Sequence, residues 1–455
     1  MKTYIYSAVA GILVLASCSQ EGPGAGAAGE YGDRIYFRSY LPTVTKTRAG
    51  IISKENLSEC QVTGFNPDDE NRIDSETGKI EPLFGDIRYE KDAAGHFIPN
   101  ETDACTWPDS QSTLHFFAYY PSAESMREKI DSEKFKFVNN SKKAEDDTYA
   151  LEYRLENFKV AQDIADQVDF IAAYSNGTAQ KNGRSGIDLN FSHQLARVEI
   201  SAWGESNKYD FEIAGVRIGN AFTEGDFSFS SLMSESGGDA AWQNTEGKQS
   251  PVEHIFSKGE STVMVSKTGE IASSSGNAAS IMGNSGPAMV IPMAGKIEAW
   301  EGKGYSAAGK LYFSVLLRVI NKDGDTVYPY PNDKAGIPVV YLAFGEEGTI
   351  KERLYLKDGE YYTQDSENEE YKYTPSDTEE VRGFCWASLP VAAKWEAGKI
   401  YTYKLNYTNG IGWQDPKDPN PGEPIIERGS VPFEVDVAEW LPAEDYDSDI
   451  EVPKK

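Results

Sequence analysis

The four residues Leu15-Ala16-Ser17-Cys18 could support one kind of chemistry. Small side chains ahead of a cysteine let its thiol be acylated and the chain then be cut on the N-terminal side of that residue. What precedes them fits. Lys2 gives a positive start, and Ile5 to Ala16 is a mostly apolar run too short and wrongly flanked for a membrane span. The expectation is a signal peptide over residues 1–17 and a lipid on Cys18, which would anchor the chain to a membrane without crossing it. No later apolar run approaches the roughly 20 residues that a span needs.

Other reactive residue types are present without the spacing that chemistry requires. His96, His115, His193 and His254 make no metal-ligand pair and no His-Glu-x-x-His run, so each reads as a structural histidine. Gly283-Asn284-Ser285-Gly286-Pro287 looks like a serine nucleophile loop, but no histidine has the small apolar flanks of a matching base. Asn321 to Asp325 could hold a calcium ion, yet its spacing departs from the EF-hand and its Asp-Gly pair favours a hairpin turn. Gly24-x-Gly26-x-x-Gly29 fits a dinucleotide fingerprint by letter, but a lipid anchor stands where the preceding strand should be. The stretch Glu21–Gly29 is better read as a flexible tether. With 72 Asp and Glu residues, chance supplies many carboxylate pairs, and none can be singled out as a glycosidase pair. No catalytic residue, cofactor or metal is expected.

The formal charge is −28; removing residues 1–17, which hold one Lys and no acid, makes it −29. Such a surface argues against nucleic acid as a partner. After Cys18 three cysteines remain, Cys60, Cys105 and Cys385. An odd number cannot form a full disulfide framework; Cys60 could pair with Cys105, or all three could be buried thiols.

Most periodic segments alternate with a period of two, the mark of strands with one buried face. Ile35 and Phe37 open the folded part. Leu114, Phe116, Ala118 and Tyr120 share a face, as do Phe170, Ala172 and Tyr174, and Ile187, Leu189 and Phe191. The apolar set then changes parity to Ala196, Val198, Ile200 and Ala202, which suggests a bulge or bend near His193. Phe211 and Ile213 lead to Val216 and Ile218, and Leu311 to Val319 alternates most cleanly. Tyr401 to Tyr407 and Val431 to Val437 close the set. Helical signal is confined to Ser122–Lys129, with a Ser cap, and more weakly to Gln162–Val168. The polar stretches 230–280 and 355–380 read as long loops, and Asp415 to Pro424 as an extended Pro-rich loop. The fold class is therefore all-β, with a boundary near residue 204.

Several blocks, in order, resemble the fimbrillin family, the Mfa-like pilus subunits of Bacteroidota. They are Arg34-Ile35-Tyr36-Phe37 with Thr45-Lys46-Thr47-Arg48-Ala49, then Trp107-Pro108 ahead of Leu114–Pro121, then Asp169–Tyr174. Ile187–Val198 is the most recognisable stretch, and Trp395–Tyr403 with Phe433–Trp440 matches the closing pattern. The C-terminal half is longer than the pattern, and the tail 441–455 is acidic. The resemblance implies two tandem transthyretin-like β-sandwich domains, here an N-terminal sandwich over 33–204 after a lipidated linker over 18–32, and a C-terminal sandwich with long loops over 205–455.

The resemblance also implies a role: a non-enzymatic structural or accessory subunit of a surface fimbria, exported as an outer-membrane lipoprotein and supporting adhesion. Its partners would be other subunits, by β-strand addition, the outer membrane, through the lipid on Cys18, and a trypsin-like processing protease. Arg48, followed by the small Ala49, is the expected cutting point, with Lys46 as the nearby alternative. Cutting there would free the first strand and open a groove for a neighbour's strand. The rival is a surface glycan-binding lipoprotein using Trp242, Trp300 and Trp413 as sugar platforms, although tryptophans in β-sandwiches are more often core.

Overall fold

The computed structural model describes residues 33–41, 52–53, 56–99, 105–129, 135–234, 241–267, 272–293, 295–302, 306–331, 336–365, 368–426 and 429–440. The expected signal peptide, Cys18, the linker, Lys46, Arg48 and the acidic tail lie outside them. Within them the chain is all-β, with strands in several packed sheets and helix confined to short pieces such as Ala123–Lys129. No described helix is long and apolar enough to cross a membrane.

The first sheet has eight described strands, in the order Ile187–Asn190, Phe37–Tyr40, His96–Pro99, Phe84–Lys91, Glu59–Phe65, Leu114–Tyr120, Ile171–Gly177 and Ser192–His193. The two end strands are consecutive in the chain, separated only by Phe191, so the sheet curls until its ends meet. It encloses one core, in which Ile35, Phe37, Val62, Phe97, Phe116 and Leu189 are fully buried. The outer face of the same sheet carries Phe65, Phe117, Tyr119 and Ala172. These pack on a second sheet of Lys136–Asn139, Tyr153–Lys159, Glu224–Ser228 and Trp242–Gln243, through Leu155, Phe158, Phe227 and Trp242.

Two further sheets enclose the largest core. One joins Ala196–Trp203 in parallel to Lys399–Asn406, with Phe433–Glu439 at its edge. The other runs through Gln249–Ile255, Tyr209–Phe222, Tyr312–Asn321 and Glu380–Pro390. Val198, Ile200, Ile213, Val216, Phe313, Val315, Trp395 and Leu405 meet between them. Strand pairing crosses residue 204: Tyr153–Lys159 pairs with Glu224–Ser228, and Ala196–Trp203 pairs with Lys399–Asn406, Ala279–Ser280 and Ala288–Val290.

Three local expectations need correction. The parity change near His193 is neither a bulge nor a bend within one sheet. Residues 187–191 face the first core and 196–202 face the largest one, so the chain changes sheets there. The stretch 230–280 is not one loop, since it carries the strands Trp242–Gln243, Gln249–Ile255 and Val263–Val265. The stretch 355–380 likewise carries the end of Ile350–Lys357, then Glu360–Gln364 and Glu370–Tyr373. These last strands are held by cross-strand pairs such as Lys357 with Glu370 and Lys372 with Glu360. Both faces of that ribbon are partly solvated, so no apolar alternation marks it in the sequence.

Candidate functional site

The strand Phe37–Tyr40 is an interior strand of the first sheet. It pairs in parallel with Ile187–Asn190 and antiparallel with His96–Pro99. The segment before it is tied as well: Ile35 donates its N–H to the carbonyl of Cys105 at 2.8 Å, and Trp107 donates to that of Asp33 at 3.0 Å. Ile35, Phe37 and Leu41, spaced by two and four, are buried in the core. Phe37 meets Tyr89 and Phe116 edge-on, with ring centroids 4.9 and 5.2 Å apart. Arg38 and Asp188 close the outer face with an ion pair of 2.6 Å. Taking this strand away would leave an apolar trough between two strands with unpaired ladder groups.

The strand Phe433–Glu439 has the opposite character. It pairs with Lys399–Asn406 on one side, and among the described residues its other side has no strand partner. Val435 and Val437 share a face with their register partners Tyr403 and Tyr401, yet are 40% and 57% exposed. Valines on the core-facing side of an edge strand are a template for pairing unless something blunts it. The flanking charges do so in part, with Lys404 to Asp436 at 2.7 Å and Lys399 bound to Glu439.

One buried cluster connects the two strands. His193 Nδ1 lies 2.9 Å from Asp169 Oδ2, and the same carboxylate oxygen accepts the N–H of Ile52 at 2.9 Å. The indole of Trp440, just after the edge strand, stacks on the His193 ring. Ile52, after the first strand, and Trp440, after the edge strand, thus meet the two halves of one Asp169–His193 pair.

A match to a family model covers residues 61–440, which takes in the sheets, the edge strand and Trp440, and the family is described as fimbrillin-like. This chain belongs to the fimbrillin-like family. Among solved structures, it is similar to candidate cell adhesion proteins from Bacteroides ovatus and Bacteroides uniformis. Identity is 12% with each, and the TM-scores are 0.38 and 0.36. The matches cover 90% of this chain in both cases, and 98% and 100% of those chains. A third, from Parabacteroides distasonis, is 9% identical with a TM-score of 0.37, over 90% of this chain and 98% of that one. No curated protein matches the chain.

In this fimbrillin-like chain the residues singled out for other chemistry are held in structural roles. Ser285 donates its hydroxyl to the carbonyls of Met282 and Gly286, at 2.6 and 3.2 Å. The nearest histidine by shared partners is His254, since Glu260 accepts from the Asn284 N–H. Its two ring nitrogens face Glu260 at 3.0 Å and Asp163 at 3.4 Å, so neither is available as a base for Ser285. Burial works against charge on His254, but the hydrogen bond to Asp163 and the Glu260 carboxylate outweigh it and raise its pKa. His115 sits between the hydroxyls of Tyr174 and Tyr149, at 2.8 and 3.1 Å, and burial lowers its pKa. Asn321 to Asp325 is a turn, with Asn321 accepting from the N–H groups of Asp323 and Asp325. Among the described residues, no group of three His, Cys, Asp or Glu could hold a metal ion. Cys60, Cys105 and Cys385 are buried thiols, none of them in a disulfide. Trp242 and Trp300 belong to the interior and are unsuited as sugar platforms, while Trp413 is half-buried against Gly429.

Sequence reasoning missed Asp415. It sits in the Pro-rich loop, but its Oδ2 accepts from Ser314 and Ser388 at 2.7 and 2.9 Å and pairs with Arg217 at 3.2 Å. Only the preceding Trp413-Gln414 strand, paired with Ala387 and Ser388, draws this loop inward. A polar alternation in a long strand, Ser314 between Phe313 and Val315, was the one available signal.

Proposed function

We propose that this chain is a structural or accessory subunit of a cell-surface fimbria and assembles by strand exchange in support of adhesion. The single observation that carries the reading is the place of Phe37–Tyr40 as an interior strand, the first among the described residues, with Ile35, Phe37 and Leu41 buried in the core. Its apolar side chains Ile35, Phe37 and Leu41 contribute about 1.5–3 kcal/mol each when buried. Together that is comparable to the whole stability of a typical domain, about 5–15 kcal/mol, so thermal release of an intact chain is rare. Cutting after Arg48 or Lys46 changes the problem, because the strand is then held only by its ladder and those side chains. A strand from a neighbour can replace it.

The donor we favour is the chain's own last strand in another copy. Val431, Phe433, Val435 and Val437 repeat the spacing of Ile35, Phe37, Ser39 and Leu41, and the donor already stands at a sheet edge. A donor and an acceptor at different places on one molecule give head-to-tail contacts that do not close, and hence a filament. The remaining parts of the reading follow from the N-terminal sequence: export with a signal peptide over 1–17, a lipid on Cys18, and delivery to the outer membrane before cutting by a trypsin-like protease. The role is non-enzymatic, as expected of the fimbrillin-like family. N-terminal sequencing of assembled protein from the native host tests the reading. Polymers whose subunits start at Ala49, lost in Arg48→Ala, are the expected result. Polymers of subunits still starting at Cys18, unaffected by the substitution, would rule strand exchange by this route out.

A further inference from the structure

Away from both strands, the ribbon 350–373 and the segment 326–339 flank a half-open groove of about 660 Å³. Tyr330, Tyr341, Tyr355 and Leu356 line it, with Arg318 and Arg382 among its polar groups. Several of its aromatic rings are held in place. Tyr330 donates its hydroxyl to the Ile425 carbonyl at 2.6 Å and meets Tyr328 edge-on. Tyr341 meets Tyr361 edge-on, and its register partner Gly383 leaves it room, since a Cβ there would come within 3.3 Å of the ring. Leu356 shares a face with Tyr341, whose register partner on the other side is Leu354, and is 48% exposed.

The chemistry of the walls narrows what can bind. Arg318 and Arg382 both pair with the buried carboxylate of Glu212, at 3.0 and 2.7 Å, and Arg382 also pairs with Glu380 at 2.5 Å. Two cations are thus matched by two carboxylates, and the chain as a whole is strongly acidic. An anionic ligand finds no uncompensated positive charge here. A peptide strand finds no ladder to join. Val340–Phe344, the central strand of the floor, is paired on both sides with Ile350–Lys357 and Glu380–Pro390. Pro329, Pro331 and Pro338 on the wall carry no N–H. What remains is a set of flat apolar faces interleaved with hydroxyls and with guanidinium N–H groups, of which each Arg has five. That combination matches a ring with one apolar C–H face and a rim of hydroxyls, and the volume lies within the roughly 300–1,000 Å³ of small-molecule sites.

We propose that this groove is a binding site for a neutral oligosaccharide, with Tyr341 and Leu356, which share one face of the sheet, as its apolar platform. The site is independent of strand exchange, and a chain that fails to polymerise still tests it. The experiment is saturation-transfer NMR and titration on the purified protein with cellotriose, maltotriose and lacto-N-tetraose, beside a sulfated heparin tetrasaccharide and decaproline. Binding of at least one neutral sugar is expected, weakened about tenfold or more by Tyr341→Ala and by Leu356→Ala. Tyr371→Ala, an exposed tyrosine outside the groove, should leave it unchanged. Leu356 is exposed enough for its variant to keep the fold, which an unchanged melting temperature verifies. No binding of any neutral sugar, binding that both variants leave intact, or preference for the sulfated sugar or decaproline would each overturn the proposal.

Discussion

The indole of Trp440 lies flat on the imidazole of His193, with ring centroids 4.3 Å apart and planes 1° from parallel. His193 is itself held by Asp169, whose carboxylate also takes the N–H of Ile52. Trp440 is 2% exposed and packs with the core that includes Leu195, Ile291 and Trp242. Trp440→Ala should therefore cost about 3–5 kcal/mol, as for other buried aromatic deletions. The loss should be local first. Hydrogen exchange should speed up in 433–439, which depends on one neighbour, before it does in 399–406, which has two. Equal acceleration across both strands would contradict a local clamp.

The edge strand offers a cleaner separation of folding from assembly. Val435 and Val437 are exposed, so Val435→Lys with Val437→Lys should change stability by no more than about 0.5 kcal/mol each. A lysine on the core-facing side of a donor strand cannot enter an apolar trough without burying its charge. Polymer yield should fall to background while the monomer melts as before. Normal polymers from the double variant would remove Phe433–Glu439 from consideration as the donor.

What the sequence discloses is set by which faces of each strand meet solvent. Tyr312–Asn321 is legible because its alternation is strong and Asn321 to Asp325 supplies the turn, with Asn321 donating its N–H to the Asp325 carbonyl. Tyr209–Phe222 is legible as two pieces around Gly215; the structure joins them in one strand with an irregular register between Ile213 and Gly215. The ribbon from Ile350 to Tyr373 is illegible because Tyr, Lys and Glu occupy both faces. The buried first strand was visible through Ile35 and Phe37. Its two neighbours were not, since pairing of residue 37 with residues 97 and 187 leaves no local trace. The Tyr-lined groove is of the same kind, assembled from segments that no spacing rule connects.

The three cysteines make a chemical test of the core. Cys60, Cys105 and Cys385 are 0%, 8% and 1% exposed, and burial followed by the neighbouring Glu59 charge pushes the Cys60 thiol well up. Thiolate is the reactive form, so a native chain begun at Ser19 should not react with a thiol-specific reagent over hours. After denaturation all three should react. Rapid labelling of Cys60 in the native state would show that the first core opens.

Asp418 contributes to the response to alkali. Burial, then the charge of Asp415, pushes its pKa up to about 7, while its Oδ2 accepts the Asp415 N–H at 2.9 Å. A pKa raised on folding means that the folded state holds the proton more tightly. Its contribution is full below the unfolded carboxylate range and is lost as pH rises through about 7. His254, also raised, acts in the same direction, losing its share as pH passes above the ordinary histidine value. Asp418→Asn keeps an acceptor oxygen and removes the titration. Its melting temperature should exceed that of the wild type by about 2 °C or more at pH near 8, and the gap should close toward pH 4. A constant gap at all pH values would show that Asp418 does not titrate as argued.

Removal of the first strand should expose the trough itself. A chain begun at Ala49 lacks Ile35, Phe37 and Leu41, and with them the partners of Phe97, Ile187 and Leu189 in the first core. His96–Pro99 and Ile187–Asn190 each lose a ladder neighbour. Apolar surface and unpaired backbone are then exposed together, which binds hydrophobic dyes and lowers stability. The largest core, between 196–203, 209–222, 312–321 and 399–406, contains none of the deleted residues and should keep its protection from hydrogen exchange. Adding a synthetic peptide of residues 429–440 should quench dye binding and restore protection at 96–99 and 187–190. A peptide with Lys at 435 and 437 should do neither. A peptide of residues 33–41 is the positive control, since it refills the trough with the native side chains. If that control restores the sheet and the 429–440 peptide does not, the trough is an acceptor whose donor is some other strand. If the truncated chain binds no dye and keeps protection at 96–99 unaided, Phe37–Tyr40 is dispensable to the sheet, and its removal cannot drive assembly.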